Sequence, residues 1–523
     1  MLPQTIQIKI SSILFHTFIG YCRTRYISNQ YMEDRRRFLD QEQLSALGGS
    51  LQLSYDEQQV NNILMRWKHA EIDDSFKDPA NFNLSKHFFA YRNDLSKSKV
   101  YQIIKMMPKG AALHVHASAM LDPDSILKLT YEDHLYACYS NDGLKIHFSD
   151  RVPRQPCPLK WNLLSDLRTT SDDVEEFDSE LRKHFTMYTE DEDIYNADIN
   201  YTWDRFEKTI KTIKGLLRYR PVREKFIYKS LENFYNDKIS YVELRSGLSS
   251  LYELDGTKHD EMYSAEIFKN VSDKFVEDHP DFIGTKLIIT KGRWSGIETI
   301  RETLLLARKV KEQMPDYFAG FDLVGQEDTG KPLTDYLPAL IEAKDDIDFY
   351  FHGGETNWLG TKSDENLMDA FLLGSKRIGH AYALLKHPTI LTAANKRDIV
   401  LEVNVISNNV LSLVRDVRNH PLATYLALGY PVVLSSDDPG IWEADPLSHD
   451  FYVAFVGAAS RHADLRLLKQ LALNSIRYSA LDDSQKARLY ENFTKQWEKF
   501  IEDLNCRDEG KYKKTLICLM LHQ

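Results

Sequence analysis

The sequence predicts an α/β chain centred on a (β/α)8 TIM barrel, with an N-terminal helical extension and a small disulfide-stapled insertion after the first strand. Three observations predict it. Short runs that are apolar throughout alternate with segments of helical apolar spacing, the pattern of a parallel sheet covered by helices. Eight such runs occur: AALHVHAS near residue 113, then ISYVELRS, GTKLIIT, FAGFDLVGQED, IDFYFHGGET, RIGHAYAL, IVLEVNVISN and YPVVLSSDDP. Eight mark a closed barrel, with an open doubly wound sheet as the competitor. The polar residues able to do chemistry fall at the C-terminal ends of these runs, where active sites of this fold are built.

Residues 1–28 hold the apolar stretch ISSILFHTFIG between Lys9 and Arg23. It is too short to cross a bilayer and reads as the h-region of a signal peptide, which would make the protein extracellular. His16 interrupts it and no small-x-small cleavage site follows, so an ordinary N-terminal helix competes. Residues 29–105 are polar with helical apolar spacing, as in DEQQVNNILMRWKHAEI, and form the expected helical extension. The barrel takes residues 106–120 and 201–505. Between them, residues 121–200 break the rhythm with prolines, the acidic runs SDDVEEFDSELRKHF and TEDEDIYNADIN, and two of the five cysteines, Cys138 and Cys157. That stretch reads as a small inserted domain in need of a staple, and a Cys138–Cys157 disulfide is expected. No CxxC pair occurs, which argues against a structural cysteine–zinc site. Residues 506–523 form a C-terminal tail whose Lys511, Lys513 and Lys514 read as a solvated run.

Over 523 residues the composition is 43% hydrophobic and 27% charged, that of a globular chain rather than a disordered or membrane-spanning one. The net charge of -11 argues against nucleic acid as a partner, since phosphate backbones require a basic stripe. Sequons at Asn83, Asn200, Asn270 and Asn492 permit glycosylation.

His114 and His116 lie two apart on the first strand, so both side chains take the same face. His352 follows the fifth run, His380 ends the sixth, and Asp437 and Asp438 end the eighth. Three neutral imidazoles and a carboxylate bind a divalent ion such as zinc and leave a position for water. Glu355, in HGGET, is placed as a general acid, and His380 as the base or orienter of the water.

MPKGAALHVH, HGGET, RIGHAYAL and LSSDDP resemble the metal-dependent adenosine deaminases, and more narrowly the adenosine deaminase-related growth factors, over roughly residues 40 to 500. The stretches FDLVGQEDTG, SNNVLSLVRDVRNHP and DLRLLKQLALNSIRYS carry the same resemblance. It implies one Zn2+ per subunit held by His114, His116, His352 and Asp437. It also implies Glu355 protonating purine N1, His380 managing the proton of the attacking water, Asp438 bonded to N7 and the Gly325 N–H to N3. Trp203 would cover the ribose, with Phe206 and Glu207 beside it in WDRFEKTI. The implied partners are a nucleoside substrate, a second copy of the chain joined through the N-terminal helices, and a cell-surface receptor or glycan met by the insertion. Growth-factor activity and secretion are implied with them.

Three positions and one stretch depart from the family pattern. The usual Asp directly after HxH, which helps hold the nucleoside, is Ala117; the usual Gly after His380 is Ala381; and Gln326 and KGRWS are atypical. Hydrolysis is expected to survive, with ribose affinity or substrate range altered. The competing readings are a two-metal amidohydrolase, which needs a bridging lysine that FDLVGQED does not offer, a secreted signalling protein with weak or lost activity, and a barrel without metal.

Overall fold

The computed structural model describes residues 28–140 and 143–505. Residues 1–27 of the expected signal peptide, and the C-terminal tail, lie outside the described residues.

Eight parallel strands form the centre: β1 (Gly110–His116), β2 (Ile239–Ser246), β3 (Gly284–Gly292), β4 (Phe318–Val324), β5 (His352–Gly353), β6 (Arg377–His380), β7 (Val400–Val403) and β8 (Val432–Leu434). They pair in sequence order as two four-stranded parallel sheets, β1 to β4 and β5 to β8. Two parallel bridges join the sheets, Phe321 to Phe349 on one side and Val115 to Asp437 on the other. The second contact decides between a barrel and an open sheet: His116 N donates to Asp437 O at 2.9 Å and Asp437 N to His114 O at 3.1 Å, closing the last strand on the first.

The strands are buried nearly throughout because helices cover their outer faces. Aspartate N-caps set where several of these helices begin. Asp260 accepts from Tyr263 N before Glu261–Asp278, Asp464 from Arg466 N before Leu465–Arg477, and Asp198 from Asn200 N and Tyr201 N before Ile199–Leu216. The N-terminal extension contains the helix Tyr55–Lys77, opened by a reciprocal Ser54–Glu57 capping box. Its Glu57 carboxylate takes a 2.8 Å hydrogen bond from Trp497 Nε1 on the last barrel helix, so the extension packs onto the barrel wall.

After β1 comes the insertion. Strands Leu135–Ser140 and Gly143–Phe148 pair antiparallel, with Asn162–Leu163 added at one edge. The Cys138–Cys157 disulfide is present, with Cα atoms 6.0 Å apart. The insertion does more than offer an outer surface: Leu144, Lys145, Ile146, His147, Gln155 and Pro156 roof the cavity at the C-terminal end of the barrel.

Candidate active site

Four side chains from three distant parts of the chain converge there. Ligand atoms of His114, His116, His352 and Asp437 all lie within 4.8 Å of one another. Asp437 Oδ1 is 3.0 Å from His116 Nε2 and 3.3 Å from His114 Nε2, and the Nε2 atoms of His114 and His352 are 3.1 Å apart.

The neighbours of these imidazoles fix what each nitrogen carries. His114 Nδ1 donates to Glu402 Oε2 at 2.7 Å, and His352 Nδ1 to Asp322 Oδ2 at 2.7 Å. With those protons committed, both Nε2 atoms present lone pairs, and they face each other at hydrogen-bond distance with Asp437 Oδ1 beside them. Two facing lone pairs and a carboxylate oxygen repel unless a cation lies among them, so the donor set fits a divalent metal.

The carboxylates are held in turn. Asp322 Oδ1 accepts from His352 N at 2.9 Å, while Oδ2 also accepts from Arg245 Nε at 2.9 Å. Glu402 takes hydrogen bonds from Arg245 Nη2 at 2.6 Å and Arg377 Nε at 2.5 Å. Burial pushes the Asp322 and Glu402 carboxyls up, yet the adjoining His352, Arg245, Arg377 and His114 outweigh it and hold both well below the usual carboxylate range.

Glu355 and His380 lie on the other side of Asp437: His380 Nδ1 is 3.4 Å from Glu355 Oε1, and His380 Nε2 is 3.6 Å from Asp437 Oδ2. Glu327 anchors the Glu355 turn, accepting from Glu355 N at 3.0 Å and Gly354 N at 3.3 Å. Burial, with Asp437 and Glu327 nearby, raises the Glu355 carboxyl well above its ordinary range. Asp438 is raised likewise by burial and by Asp437. Glu355 Oε1 and Asp438 Oδ1 have no hydrogen-bond partner among the described residues.

A chain of hydrogen bonds sets the His380 tautomer. Leu422 N donates to His420 Nδ1 at 2.9 Å, so His420 carries its proton on Nε2 and donates to Asn408 Oδ1 at 3.0 Å. Asn408 must then turn its amide nitrogen to His380 Nδ1, 3.0 Å away, which leaves the His380 proton on Nε2. The Asn404 side-chain amide, 3.3 Å from Nε2, must then present its otherwise unpartnered oxygen to the ring, with Asp437 Oδ2 at 3.6 Å beyond. Burial drives the His380 pKa well below its ordinary value, so the ring is a neutral donor at that edge.

The backbone is strained here. His380 (φ 60), Ala381 (φ 48) and Asp437 (φ 61) occupy left-handed conformations. A left-handed Ala381 explains why glycine suits that position: a Cβ there costs roughly 1–2 kcal/mol. The cost is backbone strain rather than crowding of the pocket wall.

A cavity of about 960 Å³ opens above these groups, lined by His116, His352, Glu355, His380, Asp437 and Asp438 at its floor. Trp203, Phe206, Glu207 and Gly325 line it too, so every residue expected to bind substrate, act in catalysis or hold metal lines this cavity except His114, whose ring joins the donor cluster at its floor; neither cysteine of the disulfide lines it. Trp203 and Phe206 form an edge-to-face pair with centroids 5.4 Å apart.

Sequence reading missed Asp322, Glu402, Arg245, Glu327, Asn408 and His420. A signal existed for the first three, each a charged residue inside an otherwise apolar strand run (FDLV, VLEV, VELR). Nothing local marked the other three as partners.

Residues 175–496 match the family model described as Adenosine deaminase, and residues 21–104 match Adenosine/AMP deaminase N-terminal. The chain is 43% identical over 479 residues to human Adenosine deaminase 2, covering 90% of this chain and 93% of that protein. It is 40% identical to an Adenosine deaminase of the sand fly Lutzomyia longipalpis, covering 91% and 94%. Among solved structures, Arabidopsis N6-mAMP deaminase superposes with a TM-score of 0.54 at 18% identity, covering 75% of this chain and 99% of that one. The adenine deaminase of Arthrobacter aurescens gives 0.53 at 19%, covering 75% and 99%. At such identities these two establish the shared barrel fold.

Proposed function

We infer the reaction from one premise: the chain belongs to the adenosine deaminase family, an assignment that rests on the family-model match and the identity to its relatives. The reaction is the hydrolytic deamination of adenosine, and of 2′-deoxyadenosine, to the inosine nucleoside and ammonia. The observation that carries it is the pairing of a four-donor metal set with two buried carboxyls, Glu355 and Asp438, each raised well above its ordinary range and each with one oxygen lacking a hydrogen-bond partner among the described residues.

His114, His116, His352 and Asp437 would hold one Zn2+. When bound, the ion supplies Lewis acidity that lowers the pKa of the attacking water toward neutrality. The chain's own groups do the rest. Glu355, protonated, donates to purine N1, which drains electron density from C6 and opens it to attack. Asp438 must also be protonated to serve N7, because N7 is an acceptor, and burial beside Asp437 favours that state. His380, as a neutral Nε2–H donor, orients the oxygen that adds to C6. The Gly325 N–H meets N3, and Trp203, Phe206 and Glu207 enclose the ribose. Of the two protons of the attacking water, one passes to the amino group and the other restores Glu355 as the C6 carbonyl forms; the C6–N bond breaks and ammonia leaves.

The protein is proposed to act outside the cell as a homodimer joined through its N-terminal helices, with residues 121–200 as a receptor- or glycan-binding surface carrying growth-factor activity. Among the described residues no helix is long and apolar enough to cross a membrane.

The test is the loss of the adenosine ultraviolet band on incubation with purified protein whose zinc content is counted, beside a Glu355→Ala control. Turnover by the wild type and none by the variant is expected. Equal inactivity of zinc-loaded wild type and variant would overturn the catalytic reading and leave a signalling protein.

A further inference from the structure

The reaction cavity does not end at the nucleoside. A second chamber of about 560 Å³ adjoins it, sharing His116, Ser118, Lys214, Arg218, Trp294 and Val324 as common lining. Ala117 lines only the second chamber, between two residues that line both. The throat therefore passes over the position that follows the HxH pair, and there it meets a methyl group.

The second chamber is cationic. Besides Lys214 and Arg218 it is lined by Arg223 and by Lys291, which stands near the C-terminal end of β3. None of these four is ion-paired to a carboxylate among the described residues, although Glu261 and Glu302 also line the chamber. Arg223 matters most because it is only 7% exposed. Its Nε donates to Leu217 O at 2.8 Å, and an Nη reaches Ser249 Oγ only at 3.5 Å. A buried guanidinium with no counter-ion is costly, and a protein that retains one beside an open chamber gains an anion site in return. Lys214 ties this site to the chemistry: Asp438 and Glu207 attract its ammonium on the reaction side, while Arg223 and Arg218 repel it on the other. On the cavity-facing helix Ile199–Leu216, Glu207, Lys211 and Lys214 fall at spacings of four and three, so they share one face, and Arg218 lies in the turn two residues past its end.

We propose that this chamber receives the phosphate of an adenine nucleoside monophosphate whose base occupies the reaction cavity, so that the enzyme deaminates the nucleotide in preference to the free nucleoside. The proposal rests on the deaminase reading of the site and names its substrate class. A nucleotide carries its base and its phosphate at opposite ends of the ribose, and the two chambers offer acid groups for one end and cations for the other. The bonds made and broken are unchanged: water adds at C6, ammonia leaves, and the phosphate is untouched. Ala117 fits this role, since a carboxylate at the throat would repel a phosphate passing it.

Two measurements on the full zinc-loaded chain test this. Calorimetry compares binding of inosine 5′-monophosphate with inosine, and kinetics compare kcat/KM for adenosine 5′-monophosphate with adenosine. The wild type should favour the phosphorylated member at least tenfold in both. Lys214→Gln and Arg218→Gln, which change solvent-accessible side chains, should each reduce that ratio severalfold, and the double variant should abolish it. Ala117→Asp should shift the ratio toward the nucleoside. Calorimetric preference for the nucleotide without turnover of either substrate would sustain the anion chamber while refuting the deaminase reading. Turnover of adenosine with a ratio near or below one, unmoved by the substitutions, would overturn the inference and leave the deaminase reading intact. Binding of inorganic phosphate that does not compete with the nucleotide would also overturn it, as a free-anion site.

Discussion

Replacing Asp322 by asparagine should cripple metal binding without touching a metal ligand. In the wild type all contacts to this carboxylate are donors: His352 N at 2.9 Å to Oδ1, and His352 Nδ1 at 2.7 Å and Arg245 Nε at 2.9 Å to Oδ2. An asparagine must turn its NH2 toward one side. Facing the His352 backbone N–H, it opposes a donor that cannot rearrange. Facing the ring, it opposes a donor that can, because the imidazole proton can move to Nε2. Turned toward the ring the NH2 also meets Arg245 Nε, so each orientation leaves one fixed donor unmet, and the second moves the ring proton to Nε2, the atom aimed at His114 Nε2, 3.1 Å away. Loss of such an orienting partner costs about 10–100-fold in metal affinity, or roughly 1.4–2.8 kcal/mol. The Arg245 bond weakens too; a hydrogen bond to a charged group is worth about 1.5–3 kcal/mol, so global stability should fall by a similar amount. Zinc affinity is read by competition against a chromophoric chelator, with thermal unfolding of the metal-free protein alongside. A folded Asp322→Asn protein that holds zinc within twofold of the wild type would refute the tautomer argument.

Glu355→Gln should lower kcat/KM by about 10²–10⁴-fold while bound zinc stays at one per chain, since the residue supplies a proton and is not one of the four donors. The protonated form of Glu355 is the active one, and its carboxyl is raised by burial, Asp437 and Glu327. Activity should therefore persist above the ordinary carboxylate range and fall as pH rises through the Glu355 pKa; a wild-type profile that climbs across that limb would contradict the role. Replacing Cys138 and Cys157 by alanine opens a loop closed by a sequence separation of 19. This should destabilise the insertion by about 3 kcal/mol, visible as earlier proteolysis of residues 121–200, and unchanged protease resistance would show the antiparallel strands suffice.

Much of this protein could be read from one dimension. Strand identity followed from runs such as ISYVELRS, because a parallel strand buried on both faces must be apolar along its whole length. The candidate ligands and the two acids followed from where polar residues interrupt those runs, since strand ends in a barrel share one rim. Resemblance to known deaminases supplied the roles.

Tertiary structure alone decided the rest. Closure of the barrel depended on Asp437 bridging Val115, a contact between residues 322 positions apart that no local pattern encodes. The proton on His380 is set by Leu422, His420 and Asn408 in sequence, and the lone pairs of His114 and His352 by Glu402 and Asp322; each link is a distance between segments that meet only on folding. The cationic chamber behind Ala117 was equally hidden, because Lys214, Arg218, Arg223 and Lys291 look like ordinary surface charges along the chain. Periodicity reports which face of an element is buried, but only packing reports which charges the fold leaves without a partner.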